Sequence, residues 1–280
     1  MNIVDLHTHS TYSDGTYTPE ELVKYGSEKG LSAIALTDHD TLSGVNEAKK
    51  AGSKYNIEVI GGIEFSTSFE NTEIHIVGLF LDDNCGIIND RLKQLQENRT
   101  IRNKKMVEAL QALNVNITYN DVVVCAEGDI ITRAHFAKAL VKNGCCQSKQ
   151  ECFDRYIGTN KPGYIEREVL GVEETISLIN KSGGLSILAH PLLYKLSDSR
   201  LEYMVGCLGK LGLKGIEAYY STHSPADTKY IKFLAQQNRL LLSGGSDFHG
   251  ENKPKLDLAV GYGSLAVPAE VLEKMKGALL

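Results

Sequence analysis

Short apolar runs alternate with amphipathic stretches along most of this chain, and that alternation constrains its fold more than any other feature. The runs that read as strands are Ile3–Leu6, Ala33–Thr37, Glu58–Ile63, Ile74–Phe80, Leu185–Ala189, Gly215–Tyr219 and Leu240–Ser243. Several are near-continuous Val, Ile and Leu, as strands covered on both faces of a parallel sheet must be. Between them the periodicity becomes helical. The first helix opens at Thr18-Pro19-Glu20-Glu21, with a threonine N-cap and proline at its first position, and runs to about Gly30. Others are Gly44–Tyr55, Val172–Ser182, Ser199–Leu211, Pro225–Asn238 and a last one from Pro268. The pattern predicts an α/β chain of βα units around a parallel sheet, and 280 residues suit a barrel that folds as one unit.

The alternation breaks once, between about Leu81 and Val169. Four helices follow one another there, Ile88–Leu113, Thr118–Ala126, Arg133–Asn143 and Gln150–Gly158, with no strand between them. We read residues 83–165 as an all-helical insertion, or cap, on a barrel formed by residues 1–82 and 166–280. From Arg91 to Lys161 the chain carries 12 Lys/Arg against 7 Asp/Glu, although its net charge is −5. An acidic body with a basic insertion points to an anionic ligand meeting the insertion. The same balance speaks against coating of long duplex nucleic acid, which asks for a strongly basic surface.

No run approaches the roughly 18 apolar residues of a membrane span. MNIVDLHTHS goes straight into a strand, without a basic n-region or a long apolar stretch, so a cytoplasmic protein with no membrane partner is expected. The six cysteines (Cys85, Cys125, Cys145, Cys146, Cys152 and Cys207) form no C-x-x-C pair and no repeated spacing. Reduced thiols are therefore expected, not a disulfide framework or a cysteine zinc site.

Of the eight histidines (His7, His9, His39, His75, His135, His190, His223 and His249), six lie on or just after an expected strand. Carboxylates follow the same rule. Asp38 and Asp40 flank His39, Glu64 closes VIGGIE, and Asp247 sits in GGSDFHG. In a parallel α/β barrel the strand C-termini converge on one face, so these residues would meet in one small volume. Independent core histidines have no reason to track strand ends. Clustered imidazoles and carboxylates would repel or desolvate one another unless metal ions bound them. His7-x-His9 places two imidazoles on one side of an extended chain, and Glu64 can bridge two ions with its two oxygens. Imidazole and carboxylate ligands suit zinc, iron or manganese.

At these residues the chain resembles the PHP (polymerase and histidinol phosphatase) superfamily. The segments DLHTHSTYSDGTYTPEEL, ALTDHDTLSG, GIEFS, EIHIVGLF, LAHP and GGSDFHG are similar, in order, to its motifs, and they span nearly the whole chain. ITRAHFAKAL and FDRYIGTNKPGYI resemble the branch of nucleotide and RNA phosphoesterases that removes the 3′-phosphate of 3′,5′-bisphosphonucleotides or degrades short RNA from its 5′ end. The resemblance implies a distorted (β/α)7 TIM-like barrel with a site for two to three divalent ions (Mn, Zn or Fe). One ion would be held by His7, His9, Glu64 and Asp247. A second would share Glu64 and add His75 and His190; a third would use Asp14, His39 and His249. Asp14 stands where many members have histidine.

The reaction expected is hydrolysis of a small phosphorylated substrate, a nucleotide or short RNA, by a metal-activated hydroxide. His7, His9, Glu64, Asp247 and His223 would carry the chemistry, His223 by contacting phosphate or protonating the leaving oxygen. Arg133 and His135, in TRAHFA, would clamp phosphate. Lys161 and Tyr164 are candidates for the substrate rim, and Asp5 and Asp38 for orienting the ligand imidazoles. Three other readings stay open: a histidinol-phosphate phosphatase, an amidohydrolase-type C–N hydrolase, and a non-catalytic metal-binding module. Amidohydrolase sites typically bridge two ions with a modified lysine, whereas the matching residue here is Glu64.

Overall fold

The structure is a computed structural model that describes residues 2–126, 131–166 and 169–279. Its strands are β1 (Ile3–Asp5), β2 (Ala33–Leu36), β3 (Glu58–Phe69), β4 (Thr72–Leu79), β5 (Leu170–Gly171), β6 (Leu185–Leu188), β7 (Gly215–Tyr220), β8 (Leu241–Gly245) and β9 (Val267–Pro268). Its α-helices are α1 (Pro19–Glu28), α2 (Val45–Tyr55), α3 (Gly86–Ala112), α4 (Tyr119–Cys125), α5 (Arg133–Lys142), α6 (Lys149–Cys152), α7 (Val172–Lys181), α8 (Asp198–Lys210), α9 (Pro225–Gln237) and α10 (Ala269–Gly277). α1 starts as its sequence dictates, with Thr18 and Glu21 closing a capping box ahead of Pro19.

The strands form one sheet in the order β8-β7-β6-β4-β3-β2-β1-β9, with β5 beside β3. Its two ends meet where the chain leaves β1. Leu6 N donates to Gly244 O of β8 (3.1 Å), and Asp247 N to His7 O (2.9 Å). The sheet thus closes almost fully into a distorted TIM-like barrel with helices outside. The expectation of an all-parallel sheet fails at β4, which is antiparallel to both β3 and β6. β3 runs beyond Ile63 to Phe69 and returns through Glu70–Asn71, both at positive φ (43° and 67°). That two-residue turn makes a hairpin, and no helix lies between β3 and β4 to supply a parallel crossover. β9 is likewise antiparallel to β1.

α3 leads out of the barrel. Its apolar stripe begins with Ile88, Leu92 and Leu95, packed in the core with Ile63, Ile76 and Ile179. It resumes at Met106, Val107 and Leu110, which belong to a separate core with Val122, Phe136, Leu140 and Ile157. One 27-residue helix is thereby rooted in two cores. On the same stripe, between the two sets, stand Arg99 and Arg102, the latter 8% exposed. α6 passes directly into a single wide π-type turn, Phe153–Ile157.

Candidate metal centre

The ends of β1, β2, β6 and β8, with the middle of β3 and β4, deliver the expected histidines and carboxylates to one place. His7 and His9 follow β1, His39 follows β2, and His190 follows β6, while Asp247 and His249 follow β8. Glu64 sits within β3 and His75 within β4. The β2–β3 ladder continues past β2 to pair His39 with Glu64. Several of these residues occupy left-handed backbone: Asp40 (φ 51°), His190 (φ 27°) and Asp247 (φ 58°). Each is held there by its own N–H, which donates to Glu64 O, a Glu217 carboxylate oxygen and His7 O respectively.

Glu64, 1% exposed, is the hub. Its Oε2 lies 3.2 Å from His7 Nε2, 3.3 Å from His9 Nε2 and 3.2 Å from His39 Nδ1. Its Oε1 lies 2.8 Å from His75 Nδ1 and 2.9 Å from His190 Nε2. Asp14 approaches His249 Nε2 (3.2 Å) and His39 Nε2 (3.8 Å). Among the described residues, ligand-type atoms gather within 4.8 Å of one another in three overlapping groups: His9, Asp14, His39 and His249; His7, His9 and Glu64; His39, Glu64 and His75. His39 stands in two of them, where the resemblance assigned it to one.

Buried nitrogens without hydrogen-bond partners show that this donor set fits divalent ions. His7 Nε2, His9 Nδ1 and Nε2, and His39 Nδ1 are all in that condition. Each such atom costs about 1–3 kcal/mol, and each of these three rings, once deprotonated, offers one lone pair suited to Mn, Zn or Fe.

Burial is the largest influence on each charge in the cluster and opposes all of them. At His7 the Glu64 and Glu217 carboxylates outweigh burial and hold the imidazole's pKa well above its usual value. The Asp247 and Glu64 carboxylates beside it outweigh burial and raise His9 to about 9. At His39 burial exceeds the pull of Glu64 and Asp14, and its pKa falls to about 3. The surrounding imidazoles hold Glu64 and Asp14 well below the usual carboxylate range; at Asp247, Lys253 contributes as well.

Outside the cluster a second set of polar residues fixes it, and most were not singled out from sequence. Glu217, on β7, takes His7 Nδ1 at 3.0 Å on one oxygen and the His190 N–H at 2.6 Å on the other. Its signal was a lone carboxylate in the apolar strand GIEAYY, where a buried charge needs partners. Tyr220 and Lys253 both donate to Asp247. Asp5 and Asp38 bind backbone and hydroxyl donors instead of imidazoles. Asp5 accepts from Ser246 N and Ala259 N, and Asp38 from Ser10 N, Ser10 Oγ and Ser13 Oγ.

Beside the cluster, under α3 and α5, lies a cavity of about 450 Å³. Asp14, His39 and His75 face it from the barrel, and Arg99, Arg102, Arg133 and Tyr164 face it from the other side. The Arg102 and Arg133 guanidiniums sit 5.9 and 5.4 Å from the Tyr164 ring centroid. Arg99 pairs with Asp40, beside His39. Arg99 and Arg102 were missed, though two arginines interrupting an apolar stripe at i and i+3 were there to be read.

Three expected substrate contacts lie elsewhere. His135 Nδ1 accepts from Thr132 N (3.2 Å), closing the cap of its own helix, and the residue lines a small separate cleft. Helix capping claims that ring, so it does not reach the cavity. Lys161 is exposed and off the cavity wall. His223 donates through Nδ1 to Ala218 O (3.0 Å) and stands against Tyr220, off the wall, with Nε2 buried and unpartnered.

A barrel that gathers imidazoles and carboxylates at its strand ends, beside a cavity rich in arginine, defines a metal-dependent phosphoesterase. Residues 5–167 match the PHP domain model, and the chain belongs to that family. It is 36% identical to the 5′-3′ exoribonuclease Rnm of Salmonella typhimurium over 88% of this chain and 85% of that one. It is 31% identical to the 3′,5′-nucleoside bisphosphate phosphatase of Chromobacterium violaceum, over 92% and 91%. A solved structure from Chromobacterium violaceum, described as an amidohydrolase with bound sulfate and no metal, superposes with a TM-score of 0.86 at 30% identity, covering 98% of this chain and 96% of that one. No described helix is long and apolar enough to cross a membrane.

Proposed function

We propose that this phosphoesterase acts on nucleotides, removing the 3′-phosphate of 3′,5′-bisphosphonucleotides or shortening 5′-phosphorylated short RNA. The observation that carries this reading is the juxtaposition of the histidine–carboxylate cluster with a 450 Å³ cavity walled by Arg99, Arg102, Arg133 and Tyr164. A cavity of that size admits a nucleotide-sized ligand. Arginine forks suit phosphate and an aromatic ring suits a base. The names of the two relatives agree with both substrates.

Two to three divalent ions would be held by His7, His9, Asp14, His39, Glu64, His75, His190, Asp247 and His249. When bound, they supply Lewis acidity to the phosphoryl group and make hydroxide available near neutral pH. His39 and His75, with 16% and 23% of their side chains exposed, form the part of the cluster open to the cavity. His7, His9 and Glu64 are buried beneath them. Arg133 binds substrate phosphate, and Tyr164 flanks the base. A carbonyl cannot donate, so His223 Nδ1 carries the hydrogen and Nε2 is left as an acceptor beside Tyr220, away from the cavity wall. We assign the helices of residues 83–165 to a cap that supplies these substrate contacts, on a barrel of residues 1–82 and 166–280.

The test is phosphate release from 3′,5′-bisphosphoadenosine by metal-free protein reloaded with Mn²⁺, with histidinol phosphate and a 5′-phosphorylated short RNA in parallel. Release from the bisphosphonucleotide, or stepwise RNA shortening, supports the proposal. Activity on histidinol phosphate alone keeps the metal centre and overturns the substrate.

A further inference from the structure

Asp247 is gripped from outside the cluster by two donors on a single oxygen. Its Oδ2 accepts hydrogen bonds from the Tyr220 hydroxyl and from Lys253 Nζ, both at 2.6 Å. Its Oδ1 lies on the other side, 3.3 Å from His9 Nε2, 3.3 Å from His249 Nδ1 and 3.8 Å from His7 Nε2. A carboxylate oxygen offers two lone-pair positions, and two donors occupy both. Asp247 therefore faces the cluster through one oxygen.

The chain places Lys253 deliberately. It follows the short 3₁₀ turn Gly250–Asn252, and its N–H donates to Gly250 O (3.1 Å). Gly250 has φ +61°, and a Cβ there would fall 2.1 Å from Thr16 Oγ1. Thr16 Oγ1 accepts instead from Glu251 N (2.9 Å), and Asn252 Nδ2 donates to Asp14 O (2.8 Å). The strap that carries Lys253 is thus tied to the loop that carries Asp14. Pro254 follows and keeps Lys253 out of helical backbone (φ −124°, ψ 71°). Lys253 also stands off the cavity wall, so it reaches the reaction through Asp247 and not through substrate.

We propose that Lys253, seconded by Tyr220, is a positioning residue that limits Asp247 to one coordinating oxygen and shares its negative charge. This rests on the metal-centre reading above. A carboxylate whose charge is shared with an ammonium donates less to an ion on its other oxygen. That ion is held less tightly and remains the stronger Lewis acid. Lys253 therefore trades metal affinity for reactivity.

This trade has a signature that a merely structural lysine would not produce. Lys253→Met should bind Mn²⁺ roughly tenfold more tightly than wild type, because a cation close to the ion has gone. At saturating Mn²⁺ its kcat on 3′,5′-bisphosphoadenosine should fall roughly tenfold, as expected when an outer partner of a ligand is lost, with KM little changed. Lys253→Arg should restore both, and Tyr220→Phe should move both in the Lys253→Met direction by less. Binding is read on metal-free protein from loss of the electron-spin signal of free Mn²⁺, independently of turnover. Weaker or unchanged Mn²⁺ binding by Lys253→Met overturns the proposal. If Lys253→Met does not fold, Tyr220→Phe decides on the same two readouts. Wild-type protein that neither binds Mn²⁺ nor releases phosphate would instead overturn the metal-centre reading itself.

Discussion

Glu217→Gln is the substitution that most sharply tests how the cluster is held. Glu217 is 2% exposed and makes two bonds, one to His7 Nδ1 (3.0 Å) and one to the His190 N–H (2.6 Å). Glutamine keeps the shape but offers one oxygen and one NH₂. With its oxygen on the His190 N–H, the NH₂ meets His7 Nδ1, which must then become an acceptor. The hydrogen left on His7 then sits on Nε2, the nitrogen 3.2 Å from Glu64, where it blocks ligation. With the amide reversed, NH₂ faces N–H, and the left-handed backbone of His190 loses its restraint. Either way a charge-assisted bond worth about 1.5–3 kcal/mol is lost, and a donor–donor contact adds to that. The metal-free protein should lose about 2–4 kcal/mol of stability, and Mn²⁺ affinity should fall about 10–100-fold. Urea unfolding with an unchanged m-value checks the first, and Mn²⁺ titration of metal-free protein checks the second. A variant that unfolds within about 0.5 kcal/mol of wild type and binds Mn²⁺ normally would refute the claim that Glu217 sets the His7 tautomer.

Asp247→Asn should cut turnover by more than about 100-fold, beyond the cost of losing an outer partner of a metal ligand, while circular dichroism stays native; near-normal activity would remove Asp247 from the centre. Arg133→Ala should raise KM for 3′,5′-bisphosphoadenosine about tenfold with kcat within about twofold, the loss of one charge-assisted phosphate contact, and unchanged kinetics would end the clamp assignment. Burial pushes the Asp5 carboxyl from 3.8 up to about 6, against the hydrogen bonds it accepts. The folded state therefore holds this proton more tightly than the unfolded chain. The contribution, about 3 kcal/mol, is complete below about pH 3.8 and is lost as pH rises through about 6. Denaturation of metal-free wild type and Asp5→Asn between about pH 4 and about pH 7.5 should show wild type losing ground as pH rises; a constant gap would refute it.

The barrel was legible because its signals are local. Apolar runs marked the strands, the Thr18–Glu21 capping box marked the start of α1, and a stretch without strands marked the helices from α3 to α6. Histidines could be grouped before any coordinates because strand C-termini converge in such a fold. The direction of β4 was not legible, since alternation of side chains is the same for parallel and antiparallel strands. Only the short link at Glu70–Asn71 carried that information. Glu217, Tyr220 and Lys253 escaped for a related reason: their importance lies in which atom each touches across the barrel, and single residues of ordinary type carry no periodic signal. His135 shows the reverse error. It sits beside Arg133 in TRAHFA, yet a helix turns successive residues by about 100°, so one reaches the cavity and its near neighbour closes a cap.

The rooting of α3 in two cores makes it a gauge. Arg99 and Arg102 lie in phase with Leu95 before them and Met106 after them, so the pitch of the helix sets the side on which Asp40 and Tyr164 meet them. Deleting a single residue between Leu95 and Arg99 would advance everything beyond it by about 1.5 Å and rotate it by about 100°. Both guanidiniums would swing away from the site, with no cation removed from the protein. Point substitutions along this helix are read one at a time, whereas a change in its length is read by the whole arginine row at once.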